Sequence, residues 1–415
     1  MIEQQASCLE LQICVATVAS QSPKDDSLGS REHQKMDPTL IAKLTQWRHQ
    51  LHMNPELSTR EYQTAAFIVQ KLSELGVSRI ERLGETGVVG TIVREGSSSS
   101  VALRADTDAL PIVEQNVFSH KSRQPGVMHA CGHDGHIVML LGAAVLLLKC
   151  PNWTGTVHLV FQPAEEGFGG ARTLIDHGLF EKFTAHRIFG LHNWPGLDVG
   201  TVGIHRGAVM AASSALDITI NGRSGHAAMP HMTSDPNLVL GYLVGALQSI
   251  VSRNVDPLDS AVVSVCIVQS GTARNQIPSS GTLAGTVRTL SHDVLSLVEK
   301  RMRLMAKGFG VAFDVEIDVD FRPGSAVVNS LHEVEIAAQA AHGMGLAVRH
   351  DLVPSMAAED FGEYLRHVPG AYIWIGSGPA KNGHVLHNAS YDFNDQVIPI
   401  GAQWMADVAM TSLER

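Results

Sequence analysis

The sequence predicts an α/β protein in which a mostly parallel sheet carries a smaller, inserted α+β domain. Three observations lead there. Strand-like and helix-like runs alternate over the first half of the chain, the order changes to β-α-β-β-α-β near Ala215, and alternation resumes after residue 322. At 415 residues the chain is also too long for one ordinary domain and leaves room for two cores. The expected boundaries are a disordered N-terminal extension over residues 1–36, a discontinuous larger domain over 37–214 and 323–415, and a ferredoxin-like lid over 215–322.

Two amphipathic helices open the fold. The second begins at Ser58, with Glu61 three residues on in a capping-box pattern, ahead of the apolar positions Ala65, Phe67, Ile68 and Leu72. Then come the strand VVGTIVREG, a tight SSSS turn, the strand VALRA and a helix over Ile137–Leu148. The strand TVHLVFQ, a helix over Gly170–Phe180 and the strand HRIFGLH follow. In the inserted unit LDITI alternates as a half-buried strand, NLVLGYLVGALQSIV is helical, and AVVSVCIV and GTLAGTVRTL are strands. HDVLSLVEKRMRLMAKGF is helical and FDVEIDVDF closes the unit as a strand. A helix from Ser330 to His342, another around Glu359–His367, the strand AYIWIG and a last helix from Pro399 complete the larger domain.

Composition narrows the function. The net charge of −10 comes without a basic stripe, which argues against nucleic acid as a partner and for a small molecule. The longest apolar run, about twelve residues, is short of the roughly 20 that span a bilayer, so no membrane span is expected. Five cysteines at 8, 14, 131, 150 and 266 form no disulfide framework, which favours a reducing compartment. Leu11–Ala19 is weakly apolar, but Glu3 and Glu10 precede it where a signal peptide carries positive charge; the expected location is cytoplasmic.

Ligands of open α/β sheets bind beyond the carboxyl ends of the strands. VALRA leads to Asp106 and Asp108, TVHLVFQPA to Glu165 and Glu166, and RIFGL to His192 and Asn193. "MHACGHDGH" adds Cys131, His133, Asp134 and His136 in a loop entering a helix, and His387 follows AYIWIG and a glycine-rich loop. Each residue alone is weak evidence. Together, thiolate, imidazole and carboxylate are the donors that hold zinc, manganese, cobalt or nickel. Adjacent glutamates project differently, so one can coordinate while the other acts as proton acceptor, a division that amide hydrolysis requires.

The motifs "LRADTDALPI", "GVMHACGHDGH", "FQPAEEG", "GLHNWPG", "SGHAAMPH", "NQIP", "GTVRT", "AAEDF" and "LHNASYDF" resemble those of bacterial hippurate hydrolases and plant indole-acetyl-amino-acid hydrolases. These are members of the wider aminoacylase and carboxypeptidase-type metallohydrolases. The resemblance runs in order over about 37–415. It implies a zinc-peptidase-like catalytic domain and a centre of two divalent metal ions per subunit, held by Cys131, His133, Glu166, His192 and His387 with Cys131 bridging. It further implies Glu165 as general base, Asp108 orienting a ligand from behind, and His226 reaching from the lid to stabilise the oxyanion. Asn275 and Arg288 are expected at the substrate's carbonyl or carboxylate, with a structural salt bridge as the alternative for Arg288. A core or helix-terminus role is expected for His136, with support of a ligand from behind as the alternative, loop-bracing for Glu359 and Asp360, and no ligand role for His49 and His52. Glycines 169 and 170 are too poor a pattern for phosphate binding. The implied reaction is hydrolysis of N-acyl amino acids by a homodimer. A dipeptidase or carboxypeptidase, an N-acetyl-amino-acid deacetylase and a non-catalytic binding protein are the alternatives.

Overall fold

The computed structural model of the chain describes residues 36–380 and 385–414. The expected N-terminal extension, with Cys8 and Cys14, lies outside the described residues apart from Met36.

Helix α1 (Pro38–Met53) starts as proline and cap rules dictate: the Asp37 carboxylate accepts from Thr39 N at 2.9 Å and Pro38 takes the first turn. Helix α2 (Tyr62–Leu75) stops at Gly76, which adopts φ 87°. Its start corrects the expected capping box. Ser58 Oγ donates to Asp108 Oδ2 at 2.6 Å, while Glu61 accepts from Thr59 N, Thr86 Oγ1 and Ala164 N. Burial decides this: both side chains are enclosed, so their oxygens are satisfied by tertiary partners rather than by a helix end.

Strands β1 (Arg79–Leu83), β2 (Gly87–Arg94) and β3 (Ser100–Asp106) precede helix α3 (His133–Lys149). Then follow β4 (Gly155–Gln162), α4 (Gly170–Asp176), α5 (Leu179–Lys182), β5 (Arg187–Trp194) and β6 (Thr201–Gly203). The single helix expected over Gly170–Phe180 is broken, because Gly178 turns left-handed at φ 88°. Strand β7 (Ala208–Asn221), the short β8 (Gly225–His226), α6 (Pro236–Asn254), β9 (Ala261–Ser270) and β10 (Gln276–Ile277) come next, then β11 (Ser280–Thr289), α7 (His292–Phe313) and β12 (Glu316–Arg322). The chain ends through β13 (Val327–Val328), α8 (Leu331–Gly343), β14 (Ala347–Arg349), β15 (Ser355–Ala358), α9 (Gly362–Leu365), β16 (Gly370–Gly376) and α10 (Ile398–Leu413).

The larger sheet has the order β1-β2-β4-β3-β5-β16-β6-β14. Its centre, β4-β3-β5-β16, is parallel, and antiparallel pairs flank it. β3 and β16 are buried at every position, as expected for parallel strands covered on both faces. Beyond its polar first turn helix α3 is apolar all round and lies in the middle of the core. Its backbone approaches its neighbours closely: a Cβ at Gly135 would sit 2.2 Å from the Phe393 ring.

The smaller sheet runs β12-β7-β11-β9, all antiparallel, with α6 and α7 as its helices, which is the ferredoxin-like order. Leu216, Ile218 and Ile220 of β7 pack with Leu243 and Leu247 of α6 and with Val298 and Met302 of α7 in a core separate from the larger one. β7 is longer than LDITI alone. Its first residues pair with β13 and β15, its later ones with β11 and β12.

Candidate metal centre

The chemistry-bearing side chains converge where the parallel strands end. β3 delivers Asp106 and, two residues on, Asp108; β4 leads to Glu165 and Glu166; β5 carries His192 and Asn193. The loop before α3 supplies Cys131, with Gly132 at φ 88° turning the chain so that His133 opens the helix. Donor atoms of Cys131, His133 and His192 lie within 4.8 Å of one another, as do those of Cys131, Glu166 and His387 and those of His133, Glu165 and Glu166. Cys131 Sγ is 3.3 Å from His192 Nε2, and His387 Nε2 is 3.1 Å from Glu166 Oε1.

Backbone strain marks two of these positions. Ala164, directly before Glu165, has φ 58°, and His387 has φ 62°. The glycine pair 169–170 serves the same loop. Gly169 is left-handed, and a Cβ at Gly170 would sit 1.6 Å from Pro163 O, so only glycine lets the chain turn back after the glutamates.

Each ligand type is held from behind. His133 Nδ1 lies 2.9 Å from the carbonyl of Asp108 and 3.2 Å from its carboxylate. The Asp108 carboxylate also accepts from Ser58 Oγ and from Glu166 N, so one side chain fixes residues on three segments. His192 Nδ1 donates to the carbonyl of Asn193 at 2.7 Å, which leaves Nε2 to face Cys131. His133 Nε2 is buried with no hydrogen-bond partner among the described residues. An orphaned imidazole nitrogen beside a buried thiol and two carboxylates fits a divalent cation, which would satisfy all of them at once.

The electrostatics point the same way. Burial, aided by the Glu166 carboxylate, pushes the Cys131 thiol well above its ordinary range. Burial also pushes Glu165 up, reinforced by Glu359, Glu166 and Asp360. Burial and the nearby His136 hold His192 low, whereas Asp106 and Cys131 hold His133 well above its usual range despite burial.

Sequence reasoning passed over the network beneath these residues. Arg104, fully buried, donates to Asp106 at 2.7 Å, to Glu359 at 2.9 Å and to Asp360 at 3.1 Å. Glu359 and Asp360 in turn share a cluster with Glu165. His136, expected in a core or helix-terminus role, bridges Asp106 Oδ1 and Asn193 Oδ1, both at 2.6 Å. The one signal for Arg104 is an arginine inside an otherwise apolar strand, VALRA.

His226 lies in none of these clusters. His226 is exposed on β8 opposite Gln276 of β10, and Ala227 N donates to Asn275 O, so this two-stranded antiparallel pair brings His226 and Asn275 together. Among the described residues Arg288 forms no salt bridge; its guanidinium donates to Thr286 Oγ1 and to the carbonyl of Val287.

A second buried polar cluster stands on the other side of α3. His52 Nδ1 meets Asp134 at 2.8 Å and His52 Nε2 meets Glu114 at 3.3 Å; burial opposes its charge, but these carboxylates lift its pKa to about 9. A raised imidazole pKa stabilises the fold fully below pH 6.5, and that contribution is lost as pH rises through 9. Unfolding free energy should therefore fall between pH 7 and 9.5, by an amount on the order of 3 kcal/mol. Urea titration of the wild type against His52→Gln checks it; equal slopes in the two proteins would refute the assignment.

The comparisons with known proteins agree with this geometry. The chain is 41% identical over 372 residues to a hippurate hydrolase of Campylobacter jejuni, covering 88% of this chain and 96% of that protein. It is 38% identical over 378 residues to an N-acetyl-L-cysteine deacetylase of Bacillus subtilis, covering 91% and 89%. The crystal structure of the Bacillus subtilis YXEP protein, described as a dinuclear metal binding peptidase from the M20 family, superposes with a TM-score of 0.79 at 32% identity over 91% of this chain and 99% of that one. With residues 102–411 matching its model, the chain belongs to peptidase family M20/M25/M40.

Proposed function

We propose that this chain hydrolyses the amide bond of N-acyl amino acids, hippurate-like or indole-acetyl conjugates, releasing a carboxylic acid and a free amino acid. The observation that supports the reading is a carboxylate, Glu165, set beside a cluster of thiol, imidazole and carboxylate donors. Cys131, His133, Glu166, His192 and His387 would hold two divalent ions, zinc, manganese, cobalt or nickel, with Cys131 between them. Ions bound there supply Lewis acidity toward the substrate carbonyl and toward water.

Glu165 takes the proton of the attacking water and returns it to the leaving amine. Asp108 keeps His133 oriented, and Arg104 balances the carboxylates around Glu165. Residues 215–322 act as a lid whose β8–β10 pair brings His226 to the developing oxyanion, while Asn275 and Arg288 receive the substrate's carbonyl and carboxylate. The lid also pairs two copies into a homodimer through the edge strand β9, where Ile267 and Val268 are exposed. Light scattering at micromolar concentration should give the mass of a dimer; a monomer would remove that surface as the interface. The reading is of a cytoplasmic enzyme, and no helix of the described residues is long and apolar enough to cross a membrane.

The test is amine release from N-benzoyl, indole-acetyl and N-acetyl amino acids and from dipeptides. The protein is stripped by chelator and re-supplied with each metal. Release should vanish on stripping, return with metal and be fastest with the aromatic acyl groups. A ranking led by N-acetyl substrates would favour the deacetylase alternative. No release from any conjugate by metal-loaded protein would sink the proposal.

A further inference from the structure

A cavity of about 620 Å³ opens on the far side of the glutamate loop, and no residue of the candidate metal centre lines it. Its walls come from three segments: Thr59, Arg60 and Tyr62 ahead of and into α2; Leu83 to Thr86 at the β1–β2 turn; and Pro163, Ala164 and the outer side of α4. The volume is that of a small-molecule site. Leu83, Pro163 and Leu174 give it an apolar floor.

The polar groups at its rim are few and unequal. Glu85 is already engaged, accepting from Tyr62 Oη at 2.6 Å. His177 Nδ1 donates to the carbonyl of Thr173. The Arg60 side chain has no hydrogen bond or ion pair among the described residues, so the cavity presents one uncommitted cation above an apolar floor. That combination fits a small monocarboxylate with an aromatic or branched aliphatic body.

A buried carboxylate connects this cavity to the chemistry. Glu61 Oε1 accepts from Thr59 N at 3.0 Å and from Ala164 N at 2.9 Å, and Glu61 Oε2 accepts from Thr86 Oγ1 at 3.0 Å. One side chain thus ties all three walls together. Two wall residues, Thr59 at φ 68° and Ala164 at φ 58°, hold left-handed backbone, and Ala164 is the residue before Glu165. Strain gathered on the lining of a cavity marks a place where occupancy can change backbone geometry.

We infer that this cavity is a second ligand site for a small amphipathic monocarboxylate, paired with Arg60, whose occupancy is felt at Glu165 through Glu61 and Ala164. Only the effect on turnover rests on the amide hydrolysis proposed above; binding does not.

Benzoate is the probe. Titration calorimetry on metal-loaded full chain is compared for the wild type, Thr173→Trp and Arg60→Gln. Thr173 is exposed, and its methyl lies 3.9 Å from where a Cβ on Gly84 would stand, so a tryptophan there fills the cavity from α4. Thr173→Trp should show one benzoate site fewer than the wild type. Arg60→Gln should bind at that site roughly 5-fold more weakly, and benzyl alcohol should bind the wild type weakly by a similar factor. Equal stoichiometry in Thr173→Trp overturns the site, and equal benzoate affinity in Arg60→Gln overturns the carboxylate. Where amide release is measurable, benzoate should change kcat in the wild type and not in Thr173→Trp. A kcat unmoved at saturating benzoate overturns the coupling, whereas absence of all amide release with calorimetric binding intact would bear on the proposed reaction alone.

Discussion

Glu165→Gln should reduce amide hydrolysis by about 10²-fold or more while the protein keeps its fold and its metal. The amide side chain is the same size as the carboxylate and cannot take a proton from water. Removing one of several crowded carboxylates leaves the donors Cys131, His133, His192 and His387 in place and relieves repulsion against Glu359 and Asp360. Thermal unfolding at or above the wild-type midpoint, unchanged metal content and a collapsed kcat form the expected triple. Near-normal turnover would show that another group accepts the proton, and loss of metal would move Glu165 into the ligand set.

The largest effect on stability is expected at Arg104. Its guanidinium meets Asp106, Glu359 and Asp360 at 2.7 to 3.1 Å with no exposure to water, and among the described residues it is the one cation facing Glu359 and Asp360, while Asp106 also faces His133 and His136. Arg104→Met keeps the bulk and strands Glu359 and Asp360 without a cation, a change that costs about 3–5 kcal/mol in buried pairs. Arg104→Lys should recover part of that, since an ammonium satisfies one carboxylate but lacks the planar fork that reaches all three. Urea midpoints for the three proteins decide it. A methionine variant as stable as the wild type would mean that the carboxylates are protonated in the native state and need no counter-ion.

What was legible in the sequence and what was not separate along a physical line. Strand ends, helix starts and the ferredoxin-like insertion follow from local periodicity, and the donor residues cluster at strand ends because that is where open sheets accept ligands. Arg104, by contrast, meets residues 255 and 256 positions away, and no local pattern encodes which carboxylates a buried arginine will face. Ser58 and Glu61 show the opposite failure: their spacing satisfies a helix-start rule, yet burial redirects both to Asp108, Thr86 and Ala164. The break at Gly178 was present as a glycine but hidden inside an apolar pattern that continued across it.

Strand β7 makes the connection between the two sheets a double one. Its early residues belong with β13 and β15 and its later ones with β11 and β12, so one unbroken strand passes from the rim of the larger domain into the core of the smaller. The returning chain runs beside it: Gly324 N donates to Ser214 Oγ, and a Cβ on Gly324 would press within 2.3 Å of Ser213 O. Outgoing and returning chains therefore cross together as a ribbon. The β12-β7-β11-β9 sheet, which leads into β8 with His226, is accordingly joined to the larger sheet through a paired ribbon rather than through two separate single-chain linkers.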